Sequence, residues 1–239
     1  MKSNIKFFKK SNTIPVDEFL NNVLYDNRLG YYSSRLPFGK EGDFITSPKI
    51  SNLFSEIIAI WIISSWELFG KPKNFNIIEL GPGDGSLIKI LLKSFKKFPE
   101  FNSIKKVFLY EKSNYLKMIQ KKNISNKGVR WIDDLDCIKQ GPVIFFGNEF
   151  FDALPIKQFI KKKKLWYERY VNFGNLEKSY FYDVLFNMKK FEKKVRLNIS
   201  KNQNFIEFSP LAINYLRKIT KKIENFNGGI LRPFCIEKY

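Results

Sequence analysis

The chain has 239 residues and a formal charge of +19, with 44% hydrophobic and 17% aromatic residues. That composition supplies a core and excludes wholesale disorder, and the length suits one large domain or one domain with a small appendage. Histidine is absent, so Ser-His-Asp and Cys-His mechanisms and His-ligated metals are excluded and no metal is expected. The two cysteines, Cys137 and Cys235, form neither a CxxC pair nor a disulfide framework, which fits a reducing compartment.

After Pro15, the residues Val16, Phe19, Leu20, Val23 and Leu24 recur at helical spacing and predict an amphipathic helix. Asn27–Pro48, with three glycines and two prolines, breaks the periodicity and reads as a long ordered loop. A second helix is predicted over Ile50–Phe69. Its apolar centre, Ile57–Trp66, is bounded by Glu56 and Glu67 and falls short of the roughly 20 residues that span a bilayer, so no membrane insertion is expected.

The pattern then alternates. Phe75–Leu80 reads as a strand, Leu87–Phe95 as a helix, Lys106–Glu111 as a strand, and the stretch through Leu116 and Ile119 as a helix. Val129–Ile132 and Pro142–Gly147 are two further strands. This rhythm predicts an α/β fold with a parallel sheet covered by helices, its strands apolar on both faces. Beyond residue 155, Ile156–Ile160, Leu165–Phe173, Tyr180–Leu185 and Phe205–Phe208 read as an antiparallel β insertion. Ser209-Pro210 opens a helix to about Ile223, and Gly229–Leu231 begins a fifth parallel strand. The expected organisation is N-terminal helices and the long loop over 1–72, a parallel α/β core over 73–155, the β insertion over 156–208, and a helix with a return to the core sheet over 209–239.

The positive balance invites a nucleic-acid reading through counterion release. The lysines are scattered, however, in a chain rich throughout in Lys, Asn, Ile and Phe, so nucleic acid is not the expected partner. The tightest cluster, Lys161–Lys164, lies between two strand-like stretches and reads as a solvated hairpin tip.

The candidate chemistry gathers at strand ends. Glu79-Leu80-Gly81-Pro82-Gly83-Asp84-Gly85 joins the first parallel strand to its helix, where open α/β sheets bind ligands. The spacing is G-x-G-x-G, not the dinucleotide G-x-G-x-x-G, and the carboxylates Glu79 and Asp84 flank it. Two such charges would repel a diphosphate and favour a cationic cofactor such as S-adenosylmethionine. For Asp84, capping of the helix is the competing role. Glu111, closing the second strand, suits the two hydroxyls of a ribose, with a plain exposed strand-end charge as the alternative. Asp133 and Asp134 follow the third strand, where they either meet an adenine amino group or serve turn chemistry.

Gly42-Asp43-Phe44-Ile45-Thr46-Ser47-Pro48, the Glu79–Gly85 turn and Asn148-Glu149-Phe150-Phe151-Asp152-Ala153-Leu154-Pro155 together resemble the MidA-type class I S-adenosylmethionine-dependent methyltransferases, in family order from about Pro15 to Leu231. The resemblance implies a Rossmann-like methyltransferase with S-adenosyl-L-methionine lying across Gly81, Gly83 and Gly85 and Asn148 beside it. It also implies symmetric dimethylation of an arginine in a protein substrate, a respiratory complex I subunit in mitochondrial members. The location it implies is the matrix for a eukaryotic source and the cytoplasm for a bacterial one. Glu149 and Asp152 are candidates for localising the guanidinium charge, with loop fixing and capping of a following helix as their alternative. Asp43 and Ser47 are candidates for a lid over the cofactor. The family continues past Gly228-Gly229-Ile230-Leu231 with a strand ending in Asp-Tyr-Gly; this sequence has Arg232-Pro233-Phe234 instead, so the last strands of the sheet are expected to be missing. A non-catalytic assembly factor with the same fold and a nucleic-acid methyltransferase are the competing functions.

Overall fold

In the computed structural model the described residues are 13–26, 28–34, 51–125, 128–173, 179–226 and 228–234. In chain order they form β1 (Thr13–Pro15), α1 (Val16–Tyr25), α2 (Tyr31–Ser34), α3 (Asn52–Leu68), β2 (Phe75–Leu80), α4 (Ser86–Phe95), α5 (Pro99–Ile104), β3 (Lys105–Tyr110) and α6 (Asn114–Asn123). There follow β4 (Val129–Ile132), a 3-10 turn (Leu135–Cys137), β5 (Val143–Asn148), β6 (Lys157–Lys162), β7 (Leu165–Phe173), β8 (Ser179–Phe186), α7 (Met188–Val195), β9 (Phe205–Phe208), α8 (Pro210–Asn225) and β10 (Gly229–Phe234). Two units emerge: Met1–Asp26 with Leu154–Asn214, and Asn27–Ala153 with Tyr215–Tyr239.

The second unit carries a five-stranded sheet in the order β10-β5-β2-β3-β4, every neighbouring pair parallel. All six residues of β2 are buried, because Phe75, Ile77, Ile78 and Leu80 leave neither face polar enough for water. Ile62, Trp66, Ile88, Leu91, Phe95, Phe101 and Phe146 pack into the same core. The chain leaves β2 toward β3 and β4 on one side and returns to β5 on the other. The carboxyl end of β2 is therefore the topological switch point of the sheet.

β10 pairs with β5 along its whole length, with Pro233 opposite Gly147. The sequence reading treats that proline as incompatible with a central strand. Among the described residues β10 is an edge strand with one partner, and a residue without an N–H is tolerated there. Two helices that the sequence reading assigns no structure, α5 and α7, are also present. Within the Asn27–Pro48 loop, Tyr31–Ser34 forms a helical turn and residues 35–48 lie outside the described set.

The first unit is built on antiparallel strands. β7 pairs along its full length with β8; its other edge carries β6 along the first half and β1 along the second. β9 extends the sheet from β6. Lys163 and Lys164 make the β6–β7 turn, with Lys163 at φ 56°, so the basic run is a hairpin tip. α7 places Met188, Phe191 and Val195 on one face, and the Phe191 ring lies 5.3 Å from Phe159 and 5.4 Å from Phe208. Four lysines and Glu192 fill its other positions, which hides its short apolar stripe from a reading of periodicity.

Lys157 Nζ donates to Asp17 Oδ1 at 3.0 Å and to the buried Glu168 Oε1 at 2.5 Å. Burial opposes the lysine's charge, but these two carboxylates outweigh it and hold the ammonium above its ordinary pKa. Lys157→Met leaves Glu168 buried without its cation. The expected loss is about 2–3 kcal/mol, below the range for fully buried pairs because Lys157 retains some solvent, and urea unfolding reads it.

Candidate functional site

The turn from β2 into α4 has three residues in the left-handed region, Gly81 at φ 63°, Gly83 at φ 57° and Gly85 at φ 81°. Side chains other than glycine enter that region at a cost of roughly 1–2 kcal/mol each. A Cβ at Gly81 would stand 2.9 Å from Phe150 Cδ2, and one at Gly85 2.7 Å from Ile124 Cδ1. The glycines thus permit both the backbone path and close packing of neighbours. Gly81 N–H donates to Tyr110 O at 3.1 Å and Gly85 N–H to Pro82 O at 2.8 Å.

Asp84 Oδ1 accepts from Ser86 N–H at 3.0 Å, a local bond just ahead of α4, whose N-cap position is Gly85; this bond does not decide between the two roles the sequence leaves open. Glu79 is only 2% exposed. Burial, with a smaller contribution from the charge of Asp84, pushes its carboxyl up to about 8. This corrects the picture of two fixed charges beside the turn. Glu79 is a mostly protonated acid at neutral pH, and it ionises readily only when a positive charge arrives.

Two buried side-chain oxygens at neighbouring strand ends lack partners among the described residues. Glu79 Oε2 in β2 and Asn148 Oδ1 at the end of β5 are buried with no hydrogen-bond partner among the described residues. A buried polar atom left unmatched costs about 1–3 kcal/mol. A ligand with N–H donors or positive charge would relieve it. β5 approaches β2 closely because a Cβ at Gly147 would stand 2.9 Å from Leu80 O.

Glu111 is buried, so it is not the exposed strand-end charge of the alternative reading. Its Oε1 accepts from Ser113 N–H at 2.8 Å and its Oε2 from Gln120 Nε2 at 3.2 Å. Burial raises its pKa, and the hydrogen bonds from Ser113 and Gln120 oppose that shift. Asp133 and Asp134 are exposed. Asp133 lies 3.9 Å from Lys117 Nζ, and Asp134 Oδ1 caps the following 3-10 turn through Asp136 N–H at 3.1 Å, which is the turn chemistry left open for it.

Glu149 follows β5 at φ 54°, a conformation that non-glycine residues adopt mainly where the surroundings impose it. Asp152 is exposed in the same turn. The next element is β6, so no helix follows for Asn148, Glu149 or Asp152 to cap, and of that alternative only fixing of the loop is left. Burial first, then the charges of Asp152 and Glu149, raise the pKa of Tyr32, so these three side chains share one neighbourhood. Asp43 and Ser47 lie outside the described residues.

The sequence reading does not name Gln120, Tyr32, Phe150, Tyr110 or Tyr215 as site residues. The hydroxyls of Tyr110 and Tyr215 are 2.9 Å apart, and the Phe150 ring packs edge-on against both. The aromatic run at 150–151 and the tyrosine pair at 31–32 are visible in the sequence; their convergence is not.

The family described as "Putative S-adenosyl-L-methionine-dependent methyltransferase" matches residues 57–232. The protein arginine methyltransferase NDUFAF7 of Xenopus laevis, a mitochondrial protein, is 30% identical over 93% of this chain and 56% of its own length. The protein of that name in Homo sapiens is 34% identical over 69% of this chain and 43% of its own length. The chain thus spans about half the length of the curated relatives it matches. A COG1565 superfamily protein from Burkholderia thailandensis, solved with S-adenosyl-homocysteine bound, superposes with a TM-score of 0.70 at 23% identity, over 88% of this chain and 55% of that one. That likeness establishes the Rossmann-like fold, with helices and an added β-sheet. On the glycine turn, the strand order and these matches, the chain belongs to the MidA-type family of class I S-adenosyl-L-methionine-dependent methyltransferases.

Proposed function

We propose that the chain binds S-adenosyl-L-methionine at the carboxyl ends of β2, β3 and β5 and methylates arginine in a protein substrate. The observation that carries the cofactor reading is the pair of orphaned buried oxygens, Glu79 Oε2 and Asn148 Oδ1, beside the glycine turn. Glu79 and Asn148 would accept from the cofactor's ammonium, Gly81–Gly85 would line it, and Glu111 would accept from its ribose hydroxyls. When bound, that group supplies an electrophilic methyl.

Arginine specificity rests on the relatives described as protein arginine methyltransferases and on Glu149 and Asp152. A guanidinium is a weak nucleophile because its charge is delocalised. Carboxylates bonded to one edge localise that charge, leave the far nitrogen better able to attack, and take up the proton it releases. Tyr32 bounds the same space. Symmetric dimethylation of a complex I subunit is the reaction this assignment points to, in the mitochondrial matrix for a eukaryotic source and in the cytoplasm for a bacterial one.

The test uses the purified chain, S-adenosyl-L-methionine and arginine peptides from complex I subunits, read by mass spectrometry. A methylated arginine is the expected result. Glu149→Gln is expected to slow transfer about 30-fold, as loss of a charge-assisted hydrogen bond worth about 2 kcal/mol, while cofactor affinity changes less than about threefold. Cofactor binding with no arginine methylated on any subunit would remove the enzymatic reading and leave an assembly factor.

A further inference from the structure

We propose that Gln120 is the positioning residue that locks the glycine turn and the Glu111 carboxylate into one ligand-ready arrangement. The inference rests on the cofactor reading above and goes beyond it, since nothing in the motifs of the turn points to helix α6.

Gln120 is fully buried, and its amide is committed on both sides. Nε2 donates to Gly83 O at 2.8 Å and to Glu111 Oε2 at 3.2 Å, while Oε1 accepts from Trp131 Nε1 at 2.8 Å. An indole N–H can only donate, so Trp131 fixes which end of the amide faces it. The two N–H groups then have one direction left, toward the turn and the carboxylate. Gly83 belongs to the loop after β2 and Glu111 to the end of β3, so one side chain ties two separate strand ends together.

The rest of α6 works in the same sense. Its cap Ser113 donates its N–H to Glu111 Oε1 at 2.8 Å, and Asn123 Nδ2 donates to Asp84 O at 2.9 Å. Ile124 fills the space that a Cβ at Gly85 would need. Positions 113, 120, 123 and 124 fall on one side of the helix, so the face of α6 is a mould for the turn. Its effect on a ligand is preorganisation. Glu111 presents oxygens already aimed, and the Gly83 peptide cannot rotate without breaking its bond to Gln120.

Three variants of the full chain test this by calorimetry with S-adenosyl-homocysteine: Gln120→Met, Glu111→Gln and the two combined. Gln120→Met keeps the volume and removes every hydrogen bond. It is expected to weaken binding at least tenfold, with a double variant no more than about threefold weaker than Glu111→Gln alone. That non-additivity is the mark of a residue acting through Glu111, which a general loss of stability does not produce. Additive losses, or Gln120→Met binding within twofold of wild type, would overturn the inference. If Gln120→Met fails to fold by circular dichroism, Trp131→Phe decides: a threefold or larger loss of affinity at an unchanged melting temperature supports the inference, and equal affinity ends it. A wild-type chain that gives no heat removes the cofactor reading itself, an outcome distinct from wild type and variant binding alike.

Discussion

Replacing Gly83 by valine is expected to weaken S-adenosyl-homocysteine binding by on the order of 100-fold or more, by the strain argument that follows. Gly83 sits at φ 57°, and a β-branched residue there is a steric outlier worth roughly 1–3 kcal/mol of strain. The chain can relieve it only by rotating φ back to negative values. That rotation carries Gly83 O away from Gln120 Nε2, breaking a 2.8 Å bond, and changes the path of the peptide proposed to line the cofactor. Gly70→Ala is the control. Gly70 has φ 79° but nothing within 4 Å of an added Cβ, and it lies away from the turn. It is expected to lower the melting temperature by a few degrees and leave affinity unchanged. Calorimetry on both variants separates the outcomes; Gly83→Val binding as tightly as wild type would show that the turn does not carry the ligand.

The second large effect is a pH dependence of stability that belongs to Glu79. Its carboxyl titrates near 8 in the folded chain and near 4.5 in the unfolded one. Between those values the folded state holds a proton that the unfolded state has released, so stability falls as pH rises. The slope approaches about 1.4 kcal/mol per pH unit, and the decline from pH 5 to pH 8 amounts to about 3–4 kcal/mol. The burial of Glu111 acts in the same direction but is common to wild type and variant. Urea unfolding of wild type and Glu79→Gln across that range isolates the term: the gap between them should move by this amount in favour of the glutamine as pH rises. A constant gap would mean that Glu79 ionises freely in the fold, contrary to its burial. A bound cation opposes the trend, so saturating S-adenosyl-L-methionine is expected to flatten the wild-type slope.

These two residues also mark where reading the sequence succeeds and where it stops. The G-x-G-x-G spacing places the turn at the first parallel strand, and the structure finds three left-handed glycines there. The neighbouring acid, Glu79, is equally visible, but its charge is not. Whether a carboxyl at a strand end is ionised depends on how completely α/β packing removes water from it, and β2 proves buried at every position. Glu111 is buried and shifted in the same direction, but two donors orient its carboxyl, which Glu79 lacks. Asp84 and Asp134 look alike in sequence, and each accepts from the backbone N–H two residues on. Helices α5 and α7 escape notice because each is a short element whose apolar positions are too few to establish a period.

The sequence by itself determined the alternation of strands and helices, the antiparallel segment after residue 155 and the glycine turn. All of these are local, fixed by hydrophobic period and by the backbone freedom of glycine within a few residues. Only the tertiary structure decided that β2 stands between β3 and β5, which makes its end the switch point. It alone brought Gln120 from α6 onto Gly83, 37 positions away, and onto Glu111, with Trp131 from β4 holding its amide. The physical reason is that a hydrogen bond between distant residues depends on the order in which strands pair, and no periodicity within a single element records that order.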